Sequence, residues 1–169
     1  METALDDTLA SLATLSRTHA TLPMAARTYG QYATPTSFGA VVANWGEPLL
    51  ALRNDLPTLR AACLWVSLSG AAGTAAALGP KAREIRAALA TALYLNDPHR
   101  TWHSDRTPIL ALASWLTRLA TALGKFARDL ILMSQSGINE ISLGASGASS
   151  TMPQKQNPVR PSAIGALAQ

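Results

Sequence analysis

Residues 107–133 read TPILALASWLTRLATALGKFARDLILM, and this stretch decides the fold class. After Thr107-Pro108, large apolar residues recur at three- and four-residue spacing, the period of an α-helix. They are Ile109, Leu112, Leu116, Leu119, Leu123, Phe126, Leu130 and Met133. Further apolar residues widen this stripe, as expected of a helix in the middle of a bundle. No segment shows sustained two-residue alternation, so the sequence predicts an all-α, long-helix bundle with essentially no sheet.

Shorter helical segments flank this one. Residues 3–20 form an amphipathic pattern behind a Thr-x-x-Asp start, and residues 80–95 begin with a proline that suits a helix start. Residues 38–64 predict a long helix with a kink or break near Gly46-Glu47-Pro48. Residues 21–35 are polar and predict an irregular connection.

The composition favours a helical protein that associates with itself. The 169 residues suffice for a single helical domain, and hydrophobic residues make up 48% against 14% charged and 5% aromatic. So few charges leave apolar surface without a polar cover, which predicts burial against other subunits. The net charge of +4 is scattered without a Lys/Arg run, which argues against nucleic acid and fits a small polyanionic substrate.

The cysteine, the histidines and the lengths of the apolar segments bear on the compartment, on metal binding and on membrane insertion. Cys63 lies in an apolar run, so we expect a buried thiol in a reducing compartment. Three scattered histidines and one cysteine at no ligand spacing predict no metal site. No uninterrupted apolar stretch reaches membrane-spanning length, and Met1-Glu2 leads into an acidic helix rather than a signal peptide. We therefore expect a cytoplasmic protein without a membrane partner.

The stretch 147–158, GASSTMPQKQNP, combines two serines and a lysine with a helix start. Asn157 is expected to cap a helix whose first residue is Pro158. A helix start offers unpaired N–H groups, and Lys155 adds a full positive charge just upstream, so the stretch predicts an anion site. Residues 142–156 are expected to form a flexible loop, because Gly, Ala and Ser bury little. By itself, Gly-Ala-Ser-Ser is more typical of a solvated linker, and the Met152-Pro153 and Lys155-x-Asn157-Pro158 spacing favours the anion site.

From Ser149 to Pro158 this stretch resembles the signature loop of the fumarase/aspartase superfamily, G-S-S-x-M-P-x-K-x-N-P, with Ala148 as the one departure. Residues 26–39 resemble the superfamily's R-T-H-x-Q-x-A-x-P region. Residues 102–106, WHSDR, resemble a W-H-x-x-R segment of the adenylosuccinate lyase and carboxymuconate cycloisomerase branch. Glu140 also stands where that branch has a glutamate ahead of the loop. The superfamily's members are longer at both ends. The resemblance therefore implies its central helical domain, without the N-terminal signature region and the C-terminal domain.

The resemblance implies roles for the loop residues. Ser149 would exchange a proton at the carbon next to a carboxylate, and Ser150 is the alternative because adjacent serines cannot be separated by sequence. Lys155 and Asn157 would hold a substrate carboxylate and stabilise the aci-carboxylate formed on it. Without the motif, a lysine beside such a loop would serve only solubility.

Other substrate contacts are implied outside the loop. Thr28 and Gln31 would contact carboxylates, with loop or capping hydrogen bonds as the structural alternative. His103 and Arg106 are candidates for binding. The superfamily's sites are assembled from three subunits of a homotetramer, so shared active sites are expected here.

Tyr29 bears on the reaction. Lyases of the superfamily commonly carry histidine at this position to protonate the leaving group. A cycloisomerase run in reverse releases a carboxylate, which leaves without a proton, and the aromatic residue resembles that branch. The resemblance implies lactonisation of a tricarboxylic diene in protocatechuate breakdown, without a cofactor. Three alternatives stay open: a fumarate-releasing lyase of the adenylosuccinate or argininosuccinate type, a non-catalytic assembly module, and a site in which Tyr29 only packs while His103 acts.

Overall fold

The computed structural model describes residues 1–144, 147–148, 151–152 and 155–169, with the backbone alone for residues 147–148. Helices dominate the described residues, which confirms the all-α class. The elements in chain order are α1 (Glu2–Thr18), β1 (Pro23–Thr28), β2 (Gln31–Ser37), α2 (Phe38–Cys63), a 3-10 helix (Ala76–Lys81), α3 (Ala82–Ala92), α4 (Thr107–Met133), β3 (Gly147–Ala148), β4 (Gln156–Asn157) and α5 (Val159–Leu167).

The chain divides into two compact units. Unit 1 combines Met1–Arg53 with Thr117–Gln169, and unit 2 is Asn54–Leu116. The single helical domain inferred from the sequence stays a prediction.

Helix α1 approaches the start of α2 closely in unit 1. The hydroxyl of Ser16 donates to the carbonyl of Gly39 at 2.8 Å, and the N–H of Gly39 donates to the carbonyl of His19 at 2.9 Å. Nearby, the Trp45 ring lies 4.9 Å from the Phe126 ring, centroid to centroid, and its Nε1 donates to Asp129 at 2.7 Å. The buried apolar residues of unit 1 are Leu5, Leu12, Val42, Trp45, Leu49, Leu52, Ala127 and Met133.

The predicted break in α2 is wrong, because the helix continues through Pro48. Proline removes the hydrogen bond to the carbonyl of Asn44 and costs about 3 kcal/mol inside a helix. Burial of one large apolar side chain contributes about 1.5–3 kcal/mol. Four such residues lie fully buried on one side of α2 around the proline, so packing outweighs its cost: they are Val42, Trp45, Leu49 and Leu52.

Residues 23–37 form a β-hairpin, so the predictions of an irregular connection and of essentially no sheet are wrong here. Tyr29 and Gly30 have φ of 52° and 72°, the positive values of a two-residue type I′ turn. The register shifts from Ala25↔Pro35 to Arg27↔Tyr32, which leaves two residues of β2 opposite one of β1. This bulge interrupts the alternation that would have revealed the strands.

Unit 2 is joined by backbone and indole hydrogen bonds. Trp65 bridges in parallel to Asn96, and the N–H of Val66 donates to the carbonyl of Asn96 at 2.9 Å. The Nε1 of Trp102 donates to the carbonyl of Val66 at 2.9 Å, which fixes the WHSDR segment. Cys63 is only half-buried, in contrast to the expected buried thiol.

Helix α4 confirms the long helix expected from its period, but much of its apolar surface is uncovered in one chain. Among the described residues, it is the one helix long and apolar enough to cross a membrane by length and composition, a test that core helices of water-soluble bundles also pass. Of the predicted stripe only Met133 is buried. Its large exposed residues are Ile109, Leu110, Leu112, Leu116 and Leu132.

Candidate substrate site

The hairpin tip presents three of the residues expected to bind substrate. Thr28 and Gln31 are paired across the strands and exposed, and Tyr29 is fully exposed, at 104% of its reference area. Opposed residues in an antiparallel pair place their side chains on the same face, so Thr28 and Gln31 share one face. An exposed tyrosine in a left-handed conformation contributes little to the packing of its own chain.

The opposite face of the hairpin carries Arg27. Its Nε donates to Oε1 of Glu140 at 3.1 Å, and its guanidinium carbon lies 4.4 Å from the ring centroid of the cross-strand Tyr32. The pKa of Arg27 is raised above its usual value, first by the side-chain hydrogen bond with Tyr32 and next by the hydrogen bond and charge of Glu140. The side chains of Arg27 and Glu140 are 23% and 17% exposed, so this pair is screened less than a surface pair.

A cleft of about 600 Å³ opens beside this pair in unit 1. Tyr29 lies at its wall together with Arg27, Glu140, Lys125 and Asp129. Lys125 forms an ion pair with Asp129, so both cations of the described lining face a carboxylate. A polyanionic substrate requires positive charge from elsewhere, such as the loop at residues 142–156 or another copy of the chain.

The signature loop is described only in part. Ser149 and Ser150 lie outside the described residues, as do four other positions of residues 142–156. Lys155 is exposed, and its backbone N–H donates to the carbonyl of Met152 at 2.9 Å. Asn157 is half-buried in β4, opposite Gly147.

Helix α5 begins one residue later than expected. Pro158 occupies the cap position instead of Asn157, and no side chain caps the helix. Lys155 still precedes the helix start closely in sequence, as the predicted anion site requires. Neither Lys155 nor Asn157 is among the described residues that line the cleft.

His103 and Arg106 are exposed in the turn before α4, in unit 2. Between them, Asp105 accepts a hydrogen bond from the N–H of Thr107 at 2.9 Å and pairs with Arg100 at 2.9 Å. The hydrogen bonds from Thr107, followed by that from Arg100, lower the pKa of Asp105 to about 2. Asp105 therefore binds the first N–H of α4 and holds the turn that presents His103 and Arg106.

Sequence reasoning did not select Arg27, Lys125 or Asp129 as site residues. The spacing of Lys125 and Asp129 on a helix is a visible signal for an ion pair. Arg27 was visible as a neighbour of Thr28 in the motif region. Its partner Glu140 lies 113 residues away, which no local pattern reveals.

Comparison with known proteins identifies the family to which the chain belongs. A family model described as Lyase matches residues 1–169. The chain belongs to this fumarase/aspartase superfamily. The 3-carboxy-cis,cis-muconate cycloisomerase of Pseudomonas aeruginosa is 41% identical over 160 residues, which are 93% of this chain and 35% of that protein. The nitrosuccinate lyase of Streptomyces davaonensis is 38% identical over 166 residues, 92% of this chain and 35% of that protein.

The solved structures agree with this assignment. The 3-carboxy-cis,cis-muconate lactonizing enzyme from Pseudomonas putida superposes with a TM-score of 0.89 at 34% identity, over 99% of this chain and 37% of that one. The chain spans about a third of the length of the curated relatives it matches, since the shares are 35%, 34% and 36%. The described residues therefore have the helical fold of a part of this superfamily's members.

Proposed function

We propose that the chain is part of a cycloisomerase that interconverts 3-carboxy-cis,cis-muconate and a carboxymuconolactone. Tyr29 carries this proposal, because it stands where lyases of the superfamily place a histidine acid. Relatives named for this reaction are 34–42% identical to the chain, which supports the same choice. The pathway implied is the protocatechuate branch of aromatic degradation.

The reaction is an addition of a carboxylate across a double bond. Ring closure forms a C–O bond between a substrate carboxylate oxygen and one alkene carbon, and the neighbouring carbon, which bears another carboxylate, gains a proton. In reverse, that proton is removed and the first carboxylate leaves with its electron pair. Ser149, or Ser150 beside it, transfers the proton, and no cofactor is required.

Charge builds up on the carboxylate next to the carbon that exchanges the proton. Lys155 and Asn157 bind this carboxylate and stabilise the aci-carboxylate, which is the largest demand of the reaction. Thr28 and Gln31, on one face of the hairpin, bind a further carboxylate. His103 and Arg106 complete the recognition of a tricarboxylic substrate.

The leaving carboxylate needs no acid, so the Tyr29 ring shapes the pocket and delivers no proton. An amine leaving group, as in the adenylosuccinate or argininosuccinate type of lyase, would require one. Tyr29 therefore favours the cycloisomerase over the lyase alternative.

The active assembly is a cytoplasmic homotetramer with sites shared between subunits. The full exposure of Tyr29 in one chain supports this, since another copy of the chain could cover the open side of the cleft at whose wall the ring lies. The exposed apolar residues of α4 support it too, because other copies of the chain would cover them.

The intact protein that carries residues 1–169 tests the function directly. Purified protein is mixed with 3-carboxy-cis,cis-muconate, and loss of the conjugated diene is followed by absorbance while the lactone is identified by mass spectrometry. We expect lactone formation without added cofactor. Turnover of adenylosuccinate or argininosuccinate instead would support a lyase, and failure with all three substrates would support a non-catalytic module.

A further inference from the structure

The two faces of the β1–β2 hairpin differ in what they carry. The pair Thr28↔Gln31 occupies one face, and the adjacent pair Arg27↔Tyr32 occupies the other, because successive residues of a strand point to opposite faces. The residues proposed to bind substrate therefore have Arg27 directly behind them.

The hairpin needs support beyond its own two strands. An isolated two-stranded hairpin is marginally stable in water. The N–H of Phe38 donates to the carbonyl of Leu22 at 2.9 Å and so closes the base of the hairpin. The hydroxyl of Ser16 ties this base to α1 by donating to the carbonyl of Gly39 at 2.8 Å, just beyond β2. The bulge after Ala25 then separates the base of the hairpin from its distal half. Among the described residues, the ion pair that ties this distal half to the rest of the unit is that of Arg27 with Glu140.

Glu140 is itself fixed by the turn that ends α4. Its backbone N–H donates to the carbonyl of Met133 at 2.9 Å, across a turn in which Gly137 and Asn139 have φ of 87° and 48°. The carboxylate that receives Arg27 thus belongs to a backbone tied to the long helix. The chain then continues from Glu140 into residues 142–156, which carry the proposed proton-transfer serines.

We propose that Arg27 and Glu140 form a positioning couple for the reaction. The ion pair holds the distal half of the hairpin against the end of α4 and thereby fixes Thr28, Tyr29 and Gln31 for the substrate. The guanidinium carbon of Arg27 lies 4.4 Å from the ring centroid of Tyr32, a cation–π contact that favours arginine over lysine. The expected effect on kcat rests on the proposed function, whereas the expected effect on the stability of the hairpin does not.

Hydrogen exchange of the intact protein, measured without substrate, tests the structural consequence. In Arg27→Gln we expect the backbone amides of residues 28–32 to exchange at least about tenfold faster, with α1 and α4 unchanged. The matched control is Arg53→Gln, because Arg53 is an ion-paired arginine of similar exposure in the same unit, 2.5 Å from Asp6. Hairpin amides that exchange equally in wild type and Arg27→Gln, or faster exchange throughout the chain, would overturn the positioning couple.

Kinetics of the intact protein test the catalytic consequence. A misplacement of about 1 Å can cost roughly 100-fold in rate. In both Arg27→Gln and Glu140→Gln we expect kcat to fall at least about tenfold with KM within about threefold, whereas Arg53→Gln should change kcat less than about twofold. Arg27→Lys should recover part of kcat, since it keeps the charge.

The two tests separate the possible failures. If the wild type turns over no muconate but the hairpin amides still exchange faster in Arg27→Gln, the proposed function is contradicted and the positioning couple stands. Unchanged kcat in Arg27→Gln and Glu140→Gln, in a wild type that is active, would overturn the couple.

Discussion

Replacement of Gly39 by alanine probes the close approach of α1 and α2 that sets the base of the hairpin. A β-carbon at Gly39 would lie 2.5 Å from the carbonyl oxygen of Ser16, 2.6 Å from Cα of Ala20 and 2.8 Å from its nitrogen. Favourable separations between non-bonded heavy atoms are about 3.5–4.0 Å. All three neighbours are backbone atoms that cannot rotate away, so the two helices must move apart by about 1 Å.

Three terms set the size of the effect. Overpacking of this kind costs about 1–3 kcal/mol. The movement weakens the two hydrogen bonds that Gly39 makes with Ser16 and His19, each worth about 1 kcal/mol. Alanine returns at most about 1 kcal/mol through its higher helix propensity. We expect Gly39→Ala to lower the free energy of unfolding by about 2–4 kcal/mol, the balance of these terms.

Urea unfolding of the chain, followed by circular dichroism, measures this change. Gly46→Ala is the matched control, because Gly46 lies in the same helix and its β-carbon would meet no atom within 4 Å. This control should raise the stability by about 0.5–1 kcal/mol, as expected for glycine replaced inside a helix. Wild-type stability in Gly39→Ala, or shifts of the same sign in both variants, would refute the reasoning.

Four further predictions concern the site and the assembly. Tyr29→Phe should keep most of the lactonising activity and Tyr29→Ala should lose more; a fall in kcat of about 100-fold in Tyr29→Phe, roughly 3 kcal/mol, would instead indicate a proton donor. Ser149→Ala should abolish turnover with substrate affinity retained, and Lys155→Ala should weaken both, as measured by kcat and by calorimetric Kd. The pKa of Asp105 is lowered from 3.8 to about 2, so its stabilisation is present above pH 4 and is lost as the pH falls toward 2; acid unfolding of Asp105→Asn should depend less on pH in this window than that of wild type. Through the exposed face of α4 the chain should self-associate at micromolar concentration, which sedimentation would measure, and a stable monomer would contradict it.

Local patterns predicted the helices well. The apolar periods of residues 107–133 and 3–20 correspond to α4 and α1 within a few residues. The cap expected from Thr3 is wrong, because α1 begins at Glu2 and no side chain caps it. Pro48 was misleading because propensity is local, whereas the burial that keeps α2 continuous depends on residues brought together by the fold.

The hairpin escaped prediction for two physical reasons. Its turn uses Tyr29-Gly30 in place of the common Asn-Gly or Asp-Gly, and the bulge shifts the alternation of the strands. Residue types in the motif were enough to nominate Tyr29 and Lys155. The pairing of Arg27 with Glu140 required the fold, since nothing in either segment encodes the other.

The left-handed backbone of Tyr29 sets stability and activity against each other at a single residue. A residue with a β-carbon costs roughly 1 kcal/mol or more in this conformation, and asparagine or glycine tolerates it better. The fully exposed ring regains none of this within the chain. Under the proposed function, selection for a more stable fold would favour replacing Tyr29, and the loss would become visible only when the assembled enzyme meets its substrate.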